Sequence, residues 1–388
     1  MREWDSFPGT RLRVLRSFLR GTSLTRQEVA RQIRQSLPAA AAHIDALVAA
    51  GLLRLAGQRP SSGGRPADEY EINHPSLSSI GVELHPDHIL GLCCSINGEV
   101  WDSVRHDIDI ANVQSGDYLE SAIVETVNGL YRTWNDTHTI QGAGIAVPGI
   151  VNCDSKLLVN APNLFLKNYS FQGLSRKLPV PVFVDNEANA AAVGEYWSSS
   201  VPPAASMVLI SIREGVGAGI MLGGQLVRGP GWRAGEFGHM AIRAGTRPCN
   251  CGRTGCWEQY VSDRALAGEL GIRDTGMLNE LLAQPGPDVT RVWHAYIESL
   301  AIGIENIAAC INPELVVVSG SVARLEDRLI EPLQEVLAEV SFLTQGIRVS
   351  VSRHPDNASA LGAGFLAFSG LVPGLGLHTE KKGESHVE

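Results

Sequence analysis

One histidine and three cysteines in the middle of the sequence are the residues whose types and spacing most directly suggest chemistry. They fall within eighteen residues of one another, at His239, Cys249, Cys251 and Cys256. A structural zinc ion takes four nitrogen or sulfur ligands in a tetrahedron, and three cysteines with one histidine form one of its usual sets. The pattern therefore predicts one structural zinc ion. The alternatives are cysteines that lie near a histidine by chance, and a disulfide, which the sequence does not favour because nothing suggests export.

Two glycines and two glutamates accompany this cluster. Gly252 and Gly255 allow a short loop to fold tightly enough to turn the sulfurs inward. Glu236 lies three residues before the histidine, and Glu258 lies two residues after the last cysteine. A metal that fixes the loop therefore also fixes these two carboxylates relative to each other.

The length and composition of the chain bound what it can be. Its 388 residues, 44% hydrophobic and 19% charged, are enough for two or three domains with large cores. No apolar stretch approaches the roughly 18 to 20 residues that a membrane span needs, and the first residues lack the layout of a signal peptide. We therefore expect a cytoplasmic protein with reduced thiols and no membrane contact. Residues 374–388 are rich in Gly, Lys and Glu, which predicts a disordered tail.

The net charge of −9 is unevenly distributed along the chain. Residues 1–75 contain eleven Arg, no Lys and seven acidic residues, a formal charge of +4, so the remainder carries −13. Such an asymmetry hints at contact with nucleic acid or a membrane, although a charge of +4 also arises by chance.

Residues 1–75 show the pattern of three helices followed by two strands. Apolar residues at helical spacing predict a first helix over residues 9–21. Thr25, with a glutamate three residues later, is a capping-box pattern that begins a second helix. Ser36, followed by a proline in the first turn, begins a third. Three helices and a two-stranded wing are typical of a winged helix-turn-helix domain that binds double-stranded DNA; the alternative is a small helical packing module.

The wing and the third helix supply the candidate DNA contacts. The two strands are predicted at residues 52–55 and 69–72, separated by a basic, proline-rich loop that is too stiff for a simple hairpin. The third helix begins with alanines, so direct readout of base edges has few side chains to use. The polar candidates in and near this helix and in the wing are Gln35, Ser36, His43, Arg59 and Arg65. Apolar contact with thymine methyl groups and DNA shape are expected to contribute the rest.

From about residue 79 the sequence alternates short apolar strands with helices, which predicts an α/β fold. A strand over residues 182–186 leads directly into a helix, and two glycine-rich turns follow other strands. In open α/β sheets ligands bind beyond the carboxyl ends of the strands. Asn186, Glu187 and both turns fall in that position.

At these residues the chain closely resembles the repressor–ORF–kinase (ROK) family, whose members are sugar kinases or sugar-responsive repressors. The resemblance covers nearly everything from Gly9 to about Gly370. The motifs that carry it, together with the cysteine loop and Glu258, are Val147-Pro148-Gly149, Ala161-Pro162-Asn163-Leu164, Asp185-Asn186-Glu187-Ala188-Asn189, Gly235-Glu236-Phe237-Gly238-His239 and Asn312-Pro313-Glu314.

The resemblance implies an N-terminal winged helix-turn-helix over residues 1–75 and a two-lobed, actin/hexokinase-like ROK domain over residues 79–370. It implies zinc on the histidine and three cysteines described above, with a monosaccharide held between the lobes. The sugar contacts that it implies are Asn163, Asn186, Glu187, Glu236, His239 and Glu258. Carboxylates and amides suit this role because a sugar hydroxyl both donates and accepts hydrogen bonds.

Departures from the family's kinases favour a repressor. The kinases carry an Asp followed by Gly-Gly-Thr at the first hairpin, whereas this chain has residues 83–87 as Glu-Leu-His-Pro-Asp. A phosphate loop needs small residues and free amides, and Asp87 would repel phosphate. Glu187 replaces the catalytic Asp and moves the carboxylate by about 1.5 Å, and misplacement on the order of 1 Å can cost roughly 10²-fold in rate. Val216 stands where the kinases usually have Thr.

We therefore expect a sugar-responsive repressor that binds a two-fold symmetric operator as a homodimer or higher homo-oligomer, with no catalytic residues. The xylose-repressor branch is the most similar, on the Asn-Glu-Ala-Asn form of the motif that contains Glu187. The alternatives are an ATP-dependent sugar kinase and a DNA-binding activator or scaffold without a sugar ligand. The identity of the sugar, the operator sequence and the sign of the sugar effect stay open at this point.

Overall fold

The amino-terminal domain consists of three helices and a small antiparallel sheet. The computed structural model describes residues 7–19, 23–60, 66–113, 116–198, 205–273, 275–283, 286–340 and 342–371. The elements of this domain are α1 (Gly9–Arg16), β1 (Leu24–Thr25), α2 (Arg26–Ile33), α3 (Leu37–Ala49), β2 (Leu53–Arg59) and β3 (Ala67–Ile72). The sheet has the order β1-β3-β2 with both pairs antiparallel. The prediction of a winged helix-turn-helix is confirmed.

Side-chain caps fix where the second and third helices begin. The hydroxyl of Thr25 accepts a hydrogen bond from the Glu28 N–H, and the Glu28 carboxylate accepts one from the Thr25 N–H at 2.9 Å, which confirms the capping box. α2 ends at Arg34, whose backbone is left-handed with φ of 56°. Ser36 caps α3 by accepting from the Ala39 N–H. The turn between α2 and α3 is therefore short and well defined.

Three details of this domain differ from the sequence prediction. α1 ends at Arg16 rather than at residue 21, and Gly21 lies outside the described residues. β2 and β3 pair as far as Arg59 and Ala67, so the expectation that no simple hairpin forms was wrong for residues 57–59. The two-residue strand β1 was missed because a pair of residues is too short to show a period.

The first lobe is built on a mixed five-stranded sheet. Its order is β11-β7-β4-β5-β6, in which β11, β7 and β4 are parallel and β5 and β6 are antiparallel additions. A second sheet, β10-β9-β8, extends it. The elements are β4 (Ser78–Leu84), β5 (His88–Ser95), β6 (Val100–Asp107), α4 (Ile110–Val113), α5 (Gly116–Trp134), β7 (Ile140–Val147), β8 (Ile150–Asn152), β9 (Leu157–Ala161), β10 (Leu166–Ser170), α6 (Leu174–Lys177) and β11 (Val182–Asn186).

The second lobe repeats this plan with a sheet in the order β14-β13-β12-β15-β16. β12, β15 and β16 are parallel, and β13 and β14 are antiparallel. The elements are β12 (Met207–Ile212), β13 (Val216–Leu222), β14 (Gln225–Leu226), α8 (Glu258–Val261), α9 (Asp263–Glu269), α10 (Leu278–Ala283), α11 (Pro287–Ile311), β15 (Leu315–Gly320), α12 (Glu326–Val340) and β16 (Arg348–Val351). The two-lobed α/β fold predicted from the sequence is confirmed.

Two helices cross between the lobes, and each covers the sheet of the opposite half of the chain. α7 (Glu187–Ser198) follows the first-lobe sheet but packs on β12 and β13, whereas α13 (Ala358–Leu366) follows the second-lobe sheet but packs on β4 and β7. The helices meet at glycines: a Cβ at Gly362 would lie 1.6 Å from the Ala190 carbonyl oxygen, and one at Gly194 would lie 2.5 Å from the Ala358 carbonyl oxygen. Only glycine permits this approach.

The amino-terminal domain packs directly against the ends of these two helices. Its core residues Val14 and Phe18 belong to one buried cluster with Tyr196 of α7, with Phe365 of α13 and with Leu371, which follows α13. A single apolar core therefore joins the two domains, and burial of such a core contributes strongly to holding them together.

Polar contacts reinforce this junction. The Arg16 guanidinium donates from Nε to the Leu371 carbonyl at 2.8 Å and from Nη2 to the Gly370 carbonyl at 2.9 Å. On the connecting segment, Gln141 Nε2 donates to the Ser76 carbonyl at 2.8 Å. The connection between β3 and β4 is thus fixed by hydrogen bonds to the lobe that follows it.

In the part of the chain that the structure describes, none of the helices combines the length and the apolar composition required to cross a bilayer. The predicted disordered tail, residues 374–388, lies outside the described residues.

Candidate metal centre, ligand site and DNA-binding face

The amino end of α7 presents Glu187 at the boundary between the lobes, and Asn186 holds it there. The Asn186 side-chain oxygen accepts from the backbone N–H of Ala188 and Asn189, so Asn186 caps the helix. Its amide nitrogen donates to the Gly149 carbonyl at 2.9 Å and to Glu187 Oε2 at 2.5 Å. Both amide hydrogens of Asn186 are therefore used within the protein, which favours a positioning role over the predicted sugar contact.

Glu187 is partly buried, and its environment disfavours a negative charge. Burial raises the pKa of its carboxyl to about 8, and the nearby acids Glu236 and Glu83 add to the rise. A Cβ at Gly217, in the second lobe, would lie 3.7 Å from Glu187 Oε1. Glu187 faces the opposite lobe, and its raised pKa favours the protonated form, which can both donate and accept a hydrogen bond.

The predicted metal ligands converge on one point. The ligand atoms of His239, Cys249, Cys251 and Cys256 all lie within 4.8 Å of one another, so among the described residues this set could hold a metal ion. We call it the Cys-His cluster. Cys251 and Cys256 have sulfurs 3.6 Å apart, and Cys249 Sγ lies 3.6 Å from His239 Nδ1.

These separations fit a tetrahedral zinc ion. Zn–S bonds of about 2.3 Å and Zn–N bonds of about 2.05 Å place neighbouring sulfurs about 3.8 Å apart and a sulfur and a nitrogen about 3.6 Å apart. The loop also folds as its glycines predict: Gly252 and Gly255 have φ of 86° and 76°. A Cβ at Gly255 would lie 1.9 Å from the Arg243 carbonyl oxygen, so the loop requires glycine there.

The Cys-His cluster is continuous with two carboxylates. His239 Nδ1 lies 3.7 Å from Glu258 Oε1, and His239 Nε2 lies 3.8 Å from Glu236 Oε2. Glu258 is 9% exposed and also lies 2.9 Å from Cys249 Sγ. The Nδ1 atom of His239 therefore faces the cysteines, and its Nε2 atom faces Glu236 at the boundary between the lobes. We use "cleft carboxylates" for Glu187, Glu236 and Glu258.

Asn163 lies apart from the Cys-His cluster. It is exposed on the 3-10 turn Pro162–Leu164, which follows strand β9 of the first lobe. The turn is connected to the cleft indirectly, because a Cβ at Gly149 would lie 2.2 Å from the Asn160 carbonyl oxygen and Gly149 accepts the hydrogen bond from Asn186. The sugar contact of Asn163 stays a prediction.

Sequence reasoning missed a buried ion pair beside Asn186. Asp185, at the end of β11, accepts hydrogen bonds from Arg228 Nε at 2.9 Å and Arg228 Nη2 at 2.6 Å. Arg228 follows β14 and so belongs to the second lobe, which makes this pair a link between the lobes. An arginine 43 positions away from its partner has no local signal in the sequence that would identify it.

The predicted DNA-binding residues of the third helix are accessible. Gln35 and Ser36 are exposed at the start of α3, and His43 is half-buried one and a half turns further on. Leu37, at the first position of α3, is 49% exposed, which suits apolar contact with a thymine methyl group. The oxygen of Ser36 is shared with the helix cap described above.

Arg59, which was predicted to contact DNA, has protein partners in the structure. Its guanidinium pairs with Glu28 Oε1 at 2.7 Å and with Glu69, so it fastens the wing hairpin to α2. A DNA phosphate would compete with these two carboxylates, and the DNA contact of Arg59 stays a prediction. Arg65 lies outside the described residues.

Two other arginines are better placed for DNA. Arg31, in α2, and Arg34, at the turn before α3, are exposed, and within the described residues neither has an ion-pair partner. Arginines around a recognition helix commonly contact phosphates and set its position on the duplex. The sequence could have indicated these two arginines by their position at the end of α2, just before the recognition helix. A count of charges alone does not reveal this position.

Comparisons with known proteins match both parts of the chain. The ROK family model matches residues 80–369, and a helix-turn-helix domain model matches residues 9–56. A xylose repressor from Caldicellulosiruptor bescii is 28% identical over 387 residues, covering 93% of this chain and 96% of that protein.

Two solved structures show the same fold with and without the amino-terminal domain. A ROK family transcriptional regulator, a homologue of the Escherichia coli MLC protein, has a TM-score of 0.75 at 22% identity and covers 94% of this chain and 97% of its own. A ROK family glucokinase from Streptomyces griseus, in complex with glucose and AMPPNP, has a TM-score of 0.66 at 23% identity and covers 74% of this chain and 98% of its own.

Proposed function

The chain belongs to the ROK family, and we propose that it is a DNA-binding transcriptional repressor whose affinity for its operator is controlled by a monosaccharide bound between the lobes. The observation that carries this proposal is the path of α7. This helix begins at Glu187 in the cleft and, near its other end at Ser198, places Tyr196 in the core shared with the DNA-binding domain. Its 12 residues span about 18 Å without interruption.

The same connection suggests how a signal passes. A sugar that bridges Glu187 on one side and Glu236 and Glu258 on the other would favour one angle between the lobes, because only a difference in affinity between two states shifts their equilibrium. A change of that angle moves α7 and α13 relative to each other, and Arg16 ties the DNA-binding domain to the end of α13. In a dimer the spacing of the two recognition helices would change.

We expect the sugar to weaken operator binding. A coupling of about 1 to 3 kcal/mol, or roughly 5- to 150-fold in affinity, is the usual range. The name of the Caldicellulosiruptor bescii relative makes xylose the first sugar to test. A homodimer or larger homo-oligomer is proposed because one winged helix of this size contacts too little DNA for tight specific binding. A cytoplasmic location stays a prediction.

The Cys-His cluster is proposed to hold one zinc ion per chain. The donor set, the separations of the ligand atoms and the left-handed glycines support this assignment. With all four positions taken by side chains, the ion's contribution is structural: it fixes the loop. His239, Cys249, Cys251 and Cys256 then orient Glu236 and Glu258 toward the cleft.

A sugar kinase is the competing function, because the family includes the glucokinase described above. Against it stand Pro86, which lacks an N–H, and the acids Asp87 and Glu214 at the two hairpin turns where phosphates would approach. Glu187 also stands where the kinases carry the catalytic Asp, and its extra methylene displaces the carboxylate by about 1.5 Å.

The test measures DNA, sugar and nucleotide chemistry on the full chain. An operator selected from random duplexes is titrated with the protein by fluorescence anisotropy, with and without xylose, glucose and N-acetylmannosamine. We expect one sugar to weaken binding at least five-fold. Sugar-dependent ADP release, lost in Glu187→Gln, would overturn the repressor proposal in favour of a kinase, and operator binding that no sugar alters would favour a scaffold without a ligand.

A further inference from the structure

A second ion pair crosses the lobe boundary away from the Cys-His cluster. Glu83 is the last residue but one of the buried strand β4 in the first lobe, and Arg213 directly follows β12 in the second. Arg213 Nη2 lies 3.4 Å from Glu83 Oε1, and His85 Nε2 lies at the same distance from that oxygen. The Glu83 side chain is only 2% exposed. We refer to Glu83 and Arg213 as the interlobe pair.

The interlobe pair is charged. Burial opposes ionisation of Glu83, but Arg213 and His85 outweigh burial and hold the pKa of its carboxyl below the usual range. A buried carboxylate is costly when its partner is removed, because the remaining charge is left uncompensated. Separation of the lobes at this point is therefore strongly disfavoured.

Hydrogen bonding around the pair is incomplete. Among the described residues, Glu83 Oε2, His85 Nε2 and Arg213 Nε are buried without a hydrogen-bond partner. An unmade hydrogen bond to a buried polar group is costly. Separation of the lobes would also remove Arg213 from the buried Glu83 carboxylate, so the pair favours a closed arrangement over an open one.

The turn that carries Arg213 also touches a cleft carboxylate. The Arg213 N–H donates to the Gly215 carbonyl at 2.9 Å, and the Asp263 N–H donates to the Arg213 carbonyl at 2.9 Å, so the turn is held on both sides. A Cβ at Gly215 would lie 3.4 Å from Glu258 Oε2. A displacement of Arg213 would therefore also move the residues next to Glu258, because one short, hydrogen-bonded turn connects them.

The first-lobe partner is coupled to the other half of the sugar site in a similar way. Glu83 is close enough to Glu187 to contribute to the rise in its pKa. β4 and β11 flank β7 in the same sheet, and Glu187 directly follows β11, so Glu83 and Glu187 lie at the same edge of the first lobe. Glu83 therefore belongs to the lobe that carries Glu187, and Arg213 belongs to the lobe that carries Glu258, so each lobe supplies one side of the proposed sugar site.

We propose that Glu83 and Arg213 are positioning residues that favour the closed arrangement of the lobes, so that a fraction of the molecules holds the two halves of the sugar site at binding distance before the sugar increases that fraction. The proposal rests on the proposed function in taking the ligand to be a sugar. When only a fraction of molecules is closed, the apparent dissociation constant rises by the inverse of that fraction. Loss of the pair is expected to reduce the closed fraction about ten-fold.

The experiment compares Arg213→Met, Glu83→Gln and the double variant in the full chain. Arg324→Met is the matched control, because Arg324 forms an exposed ion pair with Asp356 that does not cross the cleft. Calorimetry measures the affinity for the sugar that proves active among xylose, glucose and N-acetylmannosamine. Hydrogen exchange measures protection of the Arg213 and Asp263 amides without any sugar.

Each single variant should weaken sugar binding about ten-fold and speed exchange at both amides, and the double variant should be no worse than the single ones, since the two residues act as a pair. Zinc content and Arg324→Met should match the parent. Unchanged affinity and unchanged exchange in Arg213→Met would overturn the inference. A parent that binds none of the sugars refutes the proposed function instead, while exchange still tests the pair. If Arg213→Met fails to fold, Glu83→Gln and the neutral double variant decide by the same measurements.

Discussion

The interlobe cleft and the DNA-binding domain are both rich in charged side chains, but the two regions use them in opposite ways. In the cleft, Glu187 and Glu236 are held close together with the pKa of each raised, chiefly by burial. Among the described residues of the DNA-binding domain, most arginines already have partners: Arg59 pairs with two glutamates, and Arg16 is bound to backbone carbonyls. In the part of the cleft that the structure describes, the cleft carboxylates form no ion pair with a lysine or arginine, whereas the described arginines of the DNA-binding domain mostly form ion pairs and hydrogen bonds that stabilise the domain itself.

The difference teaches that residue type identifies a site only when pairing is known as well. Three carboxyl groups near the Cys-His cluster cannot form ion pairs with one another, so a sequence pattern that brings them together already indicates ligand binding. Arginines near acids in a small domain pair readily, as Arg26 does with Asp45 and Arg54 with Glu71. For such residues, only the structure separates those that face DNA from those that do not.

The largest effect is expected at the Cys-His cluster, on the cleft side of this comparison. Cys251→Ser should reduce bound zinc to below about a tenth of an equivalent per chain and abolish measurable sugar binding, because the loop no longer positions Glu236 and Glu258. Elemental analysis of freshly purified, metal-replete protein and calorimetry check this. Cys310→Ser, which changes another exposed cysteine, is the control. Full zinc occupancy in Cys251→Ser contradicts the assignment.

A smaller effect is expected when one cleft carboxylate is neutralised. Glu258→Gln keeps the shape of the side chain but removes its charge, and should weaken sugar binding by at least about ten-fold. Operator affinity without sugar should stay within about two-fold of the parent, because the DNA-binding domain does not touch Glu258. Anisotropy titrations with and without sugar measure both. Glu269→Gln, at an exposed pair with Arg247, serves as the control; an unaltered sugar response in Glu258→Gln would remove this residue from the site.

On the DNA side, the comparison predicts that Arg34 matters more than Arg59. Arg34→Ala should weaken operator and non-specific binding a few-fold and reduce the slope of log affinity against log salt by about 1, as loss of one phosphate contact does. Arg59→Ala should mainly lower the melting temperature slightly, since its partners are protein carboxylates. Titrations at several salt concentrations distinguish them. If Arg59→Ala changes the salt slope and Arg34→Ala does not, the two roles are reversed.

The smallest expected effect is a pH dependence of stability at Glu187. The pKa of this carboxyl rises from 4.5 to about 8 on folding. Between these values the folded state retains a proton that the unfolded chain has lost, so the free energy of unfolding falls as pH rises and levels off above about pH 8. Glu187→Gln cannot ionise and lacks this loss. Its melting temperature relative to the parent should be at least about 2 °C higher at pH 9 than at pH 6, measured by calorimetry. An equal difference at both pH values would show that Glu187 is not neutral in the folded protein.

Local signals allowed much of the fold to be predicted. The capping box at Thr25, the Ser36 cap and the strand that runs into α7 are all encoded within a few residues, and the structure confirms each. The residues of the Cys-His cluster were predicted for the same reason, since all four lie on one loop. Zinc itself stays a prediction.

The contacts that sequence reasoning missed join residues that are far apart in the chain. Arg213 and Glu83, Arg228 and Asp185, and Arg16 and the carbonyl of Leu371 are brought together only by folding. A single arginine carries no periodicity, so its partner is set by tertiary geometry. Arg59 was assigned to DNA because the sequence does not reveal that the hairpin places it against Glu28.

The crossing of α7 and α13 has a consequence for how the protein is made. The sheet of the first lobe is covered by α13, and a Cβ at Gly144 of β7 would lie 1.8 Å from the Ala363 carbonyl oxygen, so no other segment can substitute loosely for this helix. During synthesis the ribosome completes this sheet more than 170 residues before α13 emerges. The nascent first lobe must wait with its apolar face uncovered, and we expect it to depend on chaperones until the last helix arrives. Release of a DNA-binding form is thereby delayed until almost the whole chain has been translated.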